Sequence, residues 1–218
     1  MYICPVGKIG KLQKFKEVTE FENCYERAVD LKGKWKSDVF KNDNPTTVEL
    51  ACGKGEYTIG LAERFPNRNF IGVDVKGNRI WKGARYALDQ GLSNVAFHRL
   101  MIGNIEEYFA KGEIDEFWIT FPDPQHGKKR KRLTNAIFLD RYRNISKDGA
   151  VMNLKSDSTR FYDFTKEVIA EQNLEVLADS DDVYAWDDAP EYISNIQTFY
   201  EKMWLEQGKK IKYVKYVL

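Results

Sequence analysis

Cysteine and histidine are scarce in this sequence. The three cysteines, Cys4, Cys24 and Cys52, form no C-x-x-C pair, and the two histidines, His98 and His126, complete no zinc-ligand spacing with them. No structural metal is expected, and the odd, scattered thiols predict a reduced cytosolic protein. Long apolar runs are missing as well. Nothing approaches the roughly 20 residues of a membrane span, and the opening MYICPVGKIGKLQKFKE has no apolar core of signal-peptide length. Neither sign of charge is in excess. Lys plus Arg number 34 and Asp plus Glu 33, a formal net charge of +1, so only a local cluster can argue for a nucleic-acid surface. There is no internal repeat and no low-complexity tract. What is present is a chain of 218 residues, 43% hydrophobic, enough for one domain with a full core.

Residues 1–44 are polar and Lys-rich. They read as an N-terminal arm, partly mobile, with one or two short helices around FENCYERAVDL. From residue 45 to 218 the texture changes. TTVELA is a β-branched strand broken by CGKGE. YTIGLAERFP has helical spacing and stops at Pro66. NFIGVDV is a buried strand ending in Asp74, and GNRIWKGARYALDQGL is an amphipathic helix. The alternation continues through NVAFHRL (strand), IEEYFAKG (short helix), IDEFWITF (strand), NAIFLDRYRNI (helix), GAVMNLKS (strand) and RFYDFTKEVIAEQ (helix). LEVLADS and KIKYVKYVL are two closing strands. Strands alternating with helices predict an α/β fold with a mostly parallel sheet and helices on both faces. The acidic stretch DSDDVYAWDDAPEY reads as an exposed insertion.

Ligands of open parallel sheets bind beyond the C-terminal strand ends. Three such ends carry candidate groups. Glu49 closes the first strand, and Gly53 and Gly55 let backbone approach a ligand closely. Asp74, at the end of the second strand, can accept hydrogen bonds from ribose hydroxyls. Asp123 follows the fourth strand. A dinucleotide fingerprint would need glycine where Thr58 stands, and CGKGEYT does not fit a phosphate-binding loop. S-adenosylmethionine has no phosphates and needs no third glycine. It carries an ammonium and a sulfonium, for which Glu49 and Asp123 are suitable neighbours.

The segment FPDPQHGKKRKRL sets Asp123 between two prolines and follows it with Lys128, Lys129, Arg130, Lys131 and Arg132. With VELACGKGE, NFIGVDVKGNR, LKSD and TFYE, in that order, the chain from about residue 46 onward resembles the tRNA (guanine-N7-)-methyltransferase family. The resemblance implies a Rossmann-like class I methyltransferase fold with a seven-stranded sheet whose last strand is antiparallel. It also implies methyl transfer from S-adenosylmethionine to a guanine in the variable loop of tRNA, at tRNA position 46. Glu49, Gly53, Gly55 and Asp74 correspond to cofactor positions, and Asp123 to the proposed catalytic aspartate, also beside the cofactor. Lys128, Asp157, Thr198 and Glu201 correspond to substrate positions. Lys129, Arg130 and Arg132 join Lys128 as expected phosphate contacts. Met101 and Ile102 stand where many members have an Asp-Ala pair near the adenine, so adenine recognition would rest on backbone and apolar contact. The stretch after FPDP is about two residues shorter than in many relatives.

Other roles are open for several of these residues. Asp157 could cap the following helix. Thr198 and Glu201, three apart, could form a capping box. The cations of 128–132 could be a solvated loop, with tRNA meeting Lys8, Lys11, Lys14 and Lys16 instead. Cys52 reads as a packing residue and His126 as a spacer. Trp81, Phe117 and Trp118 read as core or cofactor wall. The alternatives in function are another S-adenosylmethionine-dependent RNA methyltransferase, for instance one acting on an exocyclic amino group, and a non-catalytic tRNA-binding protein of the same fold. Monomer and homodimer are both compatible with the sequence.

Overall fold

The computed structural model describes residues 9–218; Cys4 and Lys8 lie outside the described residues. Eight strands form one sheet in the order β1-β4-β3-β2-β5-β6-β8-β7. They are β1 Cys24–Glu26, β2 Thr46–Leu50, β3 Asn69–Asp74, β4 Val95–Arg99, β5 Ile114–Thr120, β6 Ser146–Ser156, β7 Val176–Ser180 and β8 Lys212–Val217. Strands β1 to β6 pair in parallel, and β8 runs antiparallel to both β6 and β7. The expected antiparallel last strand is present. The sheet has eight strands where seven were expected, because Cys24–Glu26 extends the edge beyond β4.

Period-two alternation divides the sheet into two cores. On one face Val48, Leu50, Ile71, Val73, Phe117 and Ile119 meet α4 (Ala136–Arg143) and α5 (Thr159–Glu171). On the other, Phe70, Phe97, Trp118 and Tyr213 meet α2 (Glu56–Arg64), α3 (Gly77–Asp89) and the short α6 (Glu191–Asn195). Strands β2 and β3 are buried along their whole length, as strands covered on both faces must be. Trp118 and Phe117 are core. Trp81 is half-buried, and its Nε1 donates to Glu17 Oε2 at 2.7 Å.

The expected boundary after residue 44 does not follow the packing. Helix α1 (Lys11–Val18) lies on α3. FENCYERAVDL, expected to carry one or two short helices, forms no α-helix. It supplies β1 and a 3-10 turn, Val29–Leu31. Trp35 is fully buried, with Nε1 donating to the Tyr108 carbonyl at 3.0 Å. Burying roughly 200 Å² of tryptophan at about 25 cal/mol per Å² contributes on the order of 5 kcal/mol. The Glu113 carboxylate fixes this segment by accepting from the backbone of Gly33 and Trp35 at 2.9 and 3.0 Å. The acidic stretch is also anchored. Val183 is buried, and Trp186 packs on Tyr213 with ring centroids 5.9 Å apart.

Among the described residues, no helix is long and apolar enough to cross a membrane, and no group of three His, Cys, Asp or Glu side chains could hold a metal ion.

Candidate active site

The strand order reverses at β2: β3 lies on one side of it and β5 on the other. The chain leaves these neighbouring strands through two left-handed residues, Ala51 (φ +60°) and Phe121 (φ +47°). Non-glycine residues there cost of order 1–3 kcal/mol and persist where the surroundings over-determine them, commonly at ligand sites.

The β2–α2 loop shows how its glycines differ. Gly53, at φ +59°, has open space where a side chain would project, so a ligand can reach its backbone. Gly55, at φ +70°, is packed against the ring of Phe97, which a Cβ would meet at 2.5 Å. Gly53 therefore borders open space, while Gly55 serves the turn and the helix–sheet contact.

Asp74 holds the loop. Its Oδ2 accepts from Gly53 N at 3.0 Å and its Oδ1 from Lys76 N at 2.8 Å. Each oxygen keeps a further lone pair for a hydroxyl. Glu49 lies deeper, 3% exposed. Its Oε2 accepts from both the backbone N (2.8 Å) and the hydroxyl of Thr58, and its Oε1 from the Thr120 hydroxyl at 2.5 Å. Burial pushes its carboxyl up to about 7 against these hydrogen bonds. Both of its carboxylate oxygens are engaged within the protein. It ties the first turn of α2 to the end of β5. Cys52 is buried beside it, as a packing residue would be. Met101 is 65% exposed just after β4 and Ile102 is half-buried.

A cleft of about 580 Å³ opens beyond these strand ends, walled by Asp123, Asp157, Tyr200, Trp204, Lys76 and Arg79 among others. A smaller recess formed by Gly53, Thr120 and Thr198 shares Arg79, Phe121 and Tyr200 with it. Asp123 is exposed, and its Oδ1 accepts from Gln125 N at 2.9 Å. The flanking prolines and this local turn hold the carboxylate in place. Its pocket neighbour His126 is exposed. Asp157 does not cap α5; the Ser158 hydroxyl does, accepting from Phe161 N at 3.2 Å. Asp157 instead pairs with Lys209 at 3.3 Å in the cleft wall.

Two expected substrate residues lie elsewhere. Arg132 is 2% exposed, so it is no phosphate contact. Its Nε donates to the Pro124 carbonyl at 3.1 Å, and its guanidinium lies 4.5 Å from the Phe164 ring centroid. It anchors the FPDP turn from behind. Glu201 is fully buried and pairs with Lys155 at 2.6 Å. The Thr198 hydroxyl caps α7 (Phe199–Glu206) by accepting from Glu201 N at 3.1 Å. Glu201 turns to Lys155, so only half of the capping box forms. Lys128, Lys129, Arg130 and Lys131 are exposed, with Lys129 3.7 Å from Glu167. Lys76, Arg79, Tyr200, Trp204 and Lys209 also line the cleft and were not among the expected site residues. The first two lie within NFIGVDVKGNR, two and five residues after Asp74, and the next two sit within and just after TFYE, so proximity to these motifs was the available signal.

An open, mostly parallel sheet with a glycine loop and two acids at its switch point defines a class I methyltransferase fold. Solved structures of this class superpose on most of the chain. A 16S rRNA methyltransferase, KamB, matches with a TM-score of 0.63 at 11% identity, covering 98% of this chain and 96% of that one. A 16S rRNA (adenine(1408)-N(1))-methyltransferase from Catenulisporales acidiphilia, solved with cosubstrate SAM, matches with a TM-score of 0.57 at 15% identity, covering 85% and 90%. These likenesses show the fold. A family model described as "Putative methyltransferase" matches residues 43–214. The tRNA (guanine-N(7)-)-methyltransferase of Christiangramia forsetii is 46% identical, covering 97% of this chain and 99% of that protein. The one from Bacteroides fragilis is 44% identical, covering 98% and 87%. The chain belongs to the tRNA (guanine-N7-)-methyltransferase family.

Proposed function

We propose that this protein transfers a methyl group from S-adenosylmethionine to N7 of a guanine in tRNA, at position 46 of the variable loop. The observation that carries the reading is the placement of Asp123 on a proline-flanked turn in the cleft, which adjoins the recess holding Gly53 of the glycine loop. This donor set fits the cofactor. Asp74 is poised for ribose hydroxyls, and Gly53 leaves room for close approach. The bound cofactor supplies an electrophilic methyl group on a sulfonium.

The chain's own residues position and stabilise. Guanine N7 already carries a lone pair, so no general base is required, and alignment supplies much of the rate. The Asp123 carboxylate accepts from the guanine N–H edge and offsets the positive charge that the ring acquires. The site's edge carries Lys128, Lys129, Arg130 and Lys131 for tRNA phosphates. Lys76 and Arg79, in the cleft lining, add to these cations. Asp157 and Thr198 face the substrate side, while Glu49, Arg132 and Glu201 hold the walls in place. Met101 and Ile102 offer backbone and apolar contact to the adenine. All these groups come from one chain, so either a monomer or a homodimer can act, and the site of action is the cytoplasm.

The test is transfer of labelled methyl from S-adenosylmethionine to bulk tRNA, followed by digestion to nucleosides. Label in 7-methylguanosine is expected. Label only in another nucleoside would reassign the target atom, and no transfer despite cofactor binding would favour a non-catalytic tRNA-binding protein.

A further inference from the structure

Two aromatic side chains of α7 have no assigned task. Tyr200 is 44% exposed, and Trp204 is half-buried. Four residues apart, they share one face of the helix, and both line the cleft that holds Asp123 and Asp157. The helix sends Glu201 inward to Lys155, which fixes its rotation and keeps this pair on the cleft side. Tyr200 is braced by Phe199, whose ring meets it edge-on with centroids 5.7 Å apart. Trp204 rests with part of its surface against the core. Rigid, partly exposed aromatic faces opposite an acid make a slot for a flat, polar-edged ring.

The slot already receives a cation. Lys209 Nζ lies 3.4 Å from the Trp204 ring centroid and 3.3 Å from Asp157. Its side chain is 41% exposed, so it can swing into solvent. An aromatic face that attracts an ammonium also attracts a cationic ring. Guanine becomes such a ring during N7 methylation. As the N7 lone pair forms its bond to the methyl carbon, the sulfur keeps the electrons of the broken bond, and the positive charge passes to the purine.

We propose that Tyr200 and Trp204 are the surface on which the target purine stacks, and that the stacking tightens as the ring becomes cationic. The proposal rests on the functional reading given above. A base extruded from tRNA needs a surface to replace the stacking it leaves behind. An interaction that grows with the developing charge lowers the barrier as well as holding the substrate.

The experiment compares Trp204→Leu and Tyr200→Leu with Trp204→Phe and Tyr200→Phe. Each Leu variant should lose about 10-fold or more in kcat/KM for tRNA. Each Phe variant should stay within about three-fold of wild type, and calorimetric affinity for S-adenosylmethionine should be unchanged in all four. Inhibition by free 7-methylguanosine should exceed that by guanosine in the wild type, and the preference should vanish in Trp204→Leu. Leu variants as active as wild type, Phe variants as impaired as Leu variants, or a parallel loss of cofactor affinity would each overturn the stacking role. A wild type that forms no 7-methylguanosine in tRNA would instead sink the functional reading, and this proposal with it.

Discussion

The ammonium of Lys155 and the carboxylate of Glu201 meet at 2.6 Å with neither side chain exposed to solvent. One comes from β6, in LKSD, and the other from α7, in TFYE. The pair therefore fastens the helix that walls the cleft to the sheet beneath it. Lys155 also donates to the Ile196 carbonyl at 3.3 Å and to the Ile193 carbonyl, and Tyr184 donates to Glu201 Oε1 at 2.9 Å. Burial pushes the lysine down and the glutamate up; these hydrogen bonds favour the charged forms.

Lys155→Met should destabilise the fold by about 3–5 kcal/mol, because it leaves a buried carboxylate without its counter-charge. The double variant Lys155→Met with Glu201→Leu should recover most of that loss. Urea denaturation of both measures it. A single variant within about 1 kcal/mol of wild type would mean the pair does not hold α7.

Neighbouring cations should separate by burial. Neutralising Lys128, Arg130 and Lys131 should weaken tRNA binding and flatten its salt dependence by roughly 0.7–0.9 in log–log slope for each phosphate no longer neutralised. Arg132→Gln should leave the slope unchanged and lower stability and turnover, since Arg132 supports Pro124 from inside. Salt titrations of the two variants decide it; equal slopes would return Arg132 to the RNA surface.

Asp74 and Asp123 should separate cofactor binding from turnover. Asp74→Ala should weaken S-adenosylmethionine binding by about 1–3 kcal/mol, since it removes the acceptor for Gly53 N and the acceptor proposed for the ribose. Asp123→Ala should cut turnover strongly while tRNA affinity stays within a few-fold. Calorimetry and single-turnover kinetics read these out, and near-normal turnover with Asp123→Ala would defeat the positioning role.

Glu49 should leave a mark on stability against pH. Its ordinary value of 4.5 is raised to about 7 in the folded protein by burial. The folded state thus holds a proton that the unfolded chain releases above 4.5. The contribution of Glu49 is most favourable below pH 4.5, falls as pH rises to 7, and is flat beyond. Relative to Glu49→Gln, wild-type stability should drop by roughly 3 kcal/mol across that window. Parallel curves for the two proteins would show that Glu49 is ionised throughout.

Much was legible in the sequence because it is local. Hydrophobic runs bounded by Gly and Pro marked β2, α2, β3 and β5, and the alternation of strands with helices required a parallel sheet. The strand ends carrying Asp123 and the glycine loop border the cleft and its adjoining recess, since side chains at the carboxyl ends of neighbouring parallel strands must converge. What the chain could not announce was set by contacts between segments far apart. FENCYERAVDL has no strong strand pattern and becomes β1 because β4 offers a free edge. Among five consecutive cations, Arg132 alone turns inward, because Phe164 on α5 and the Pro124 carbonyl meet it there. Glu49 and Glu201 read as ligand-side acids and are buried, since Thr58, Thr120 and Lys155 supply the hydrogen bonds that make burial tolerable. The residue types and their order therefore determined the fold and the chemistry available at the strand ends. Only tertiary packing decided which charges face solvent and which hold the walls, because the cost of burying a charge depends on partners that lie elsewhere in the sequence.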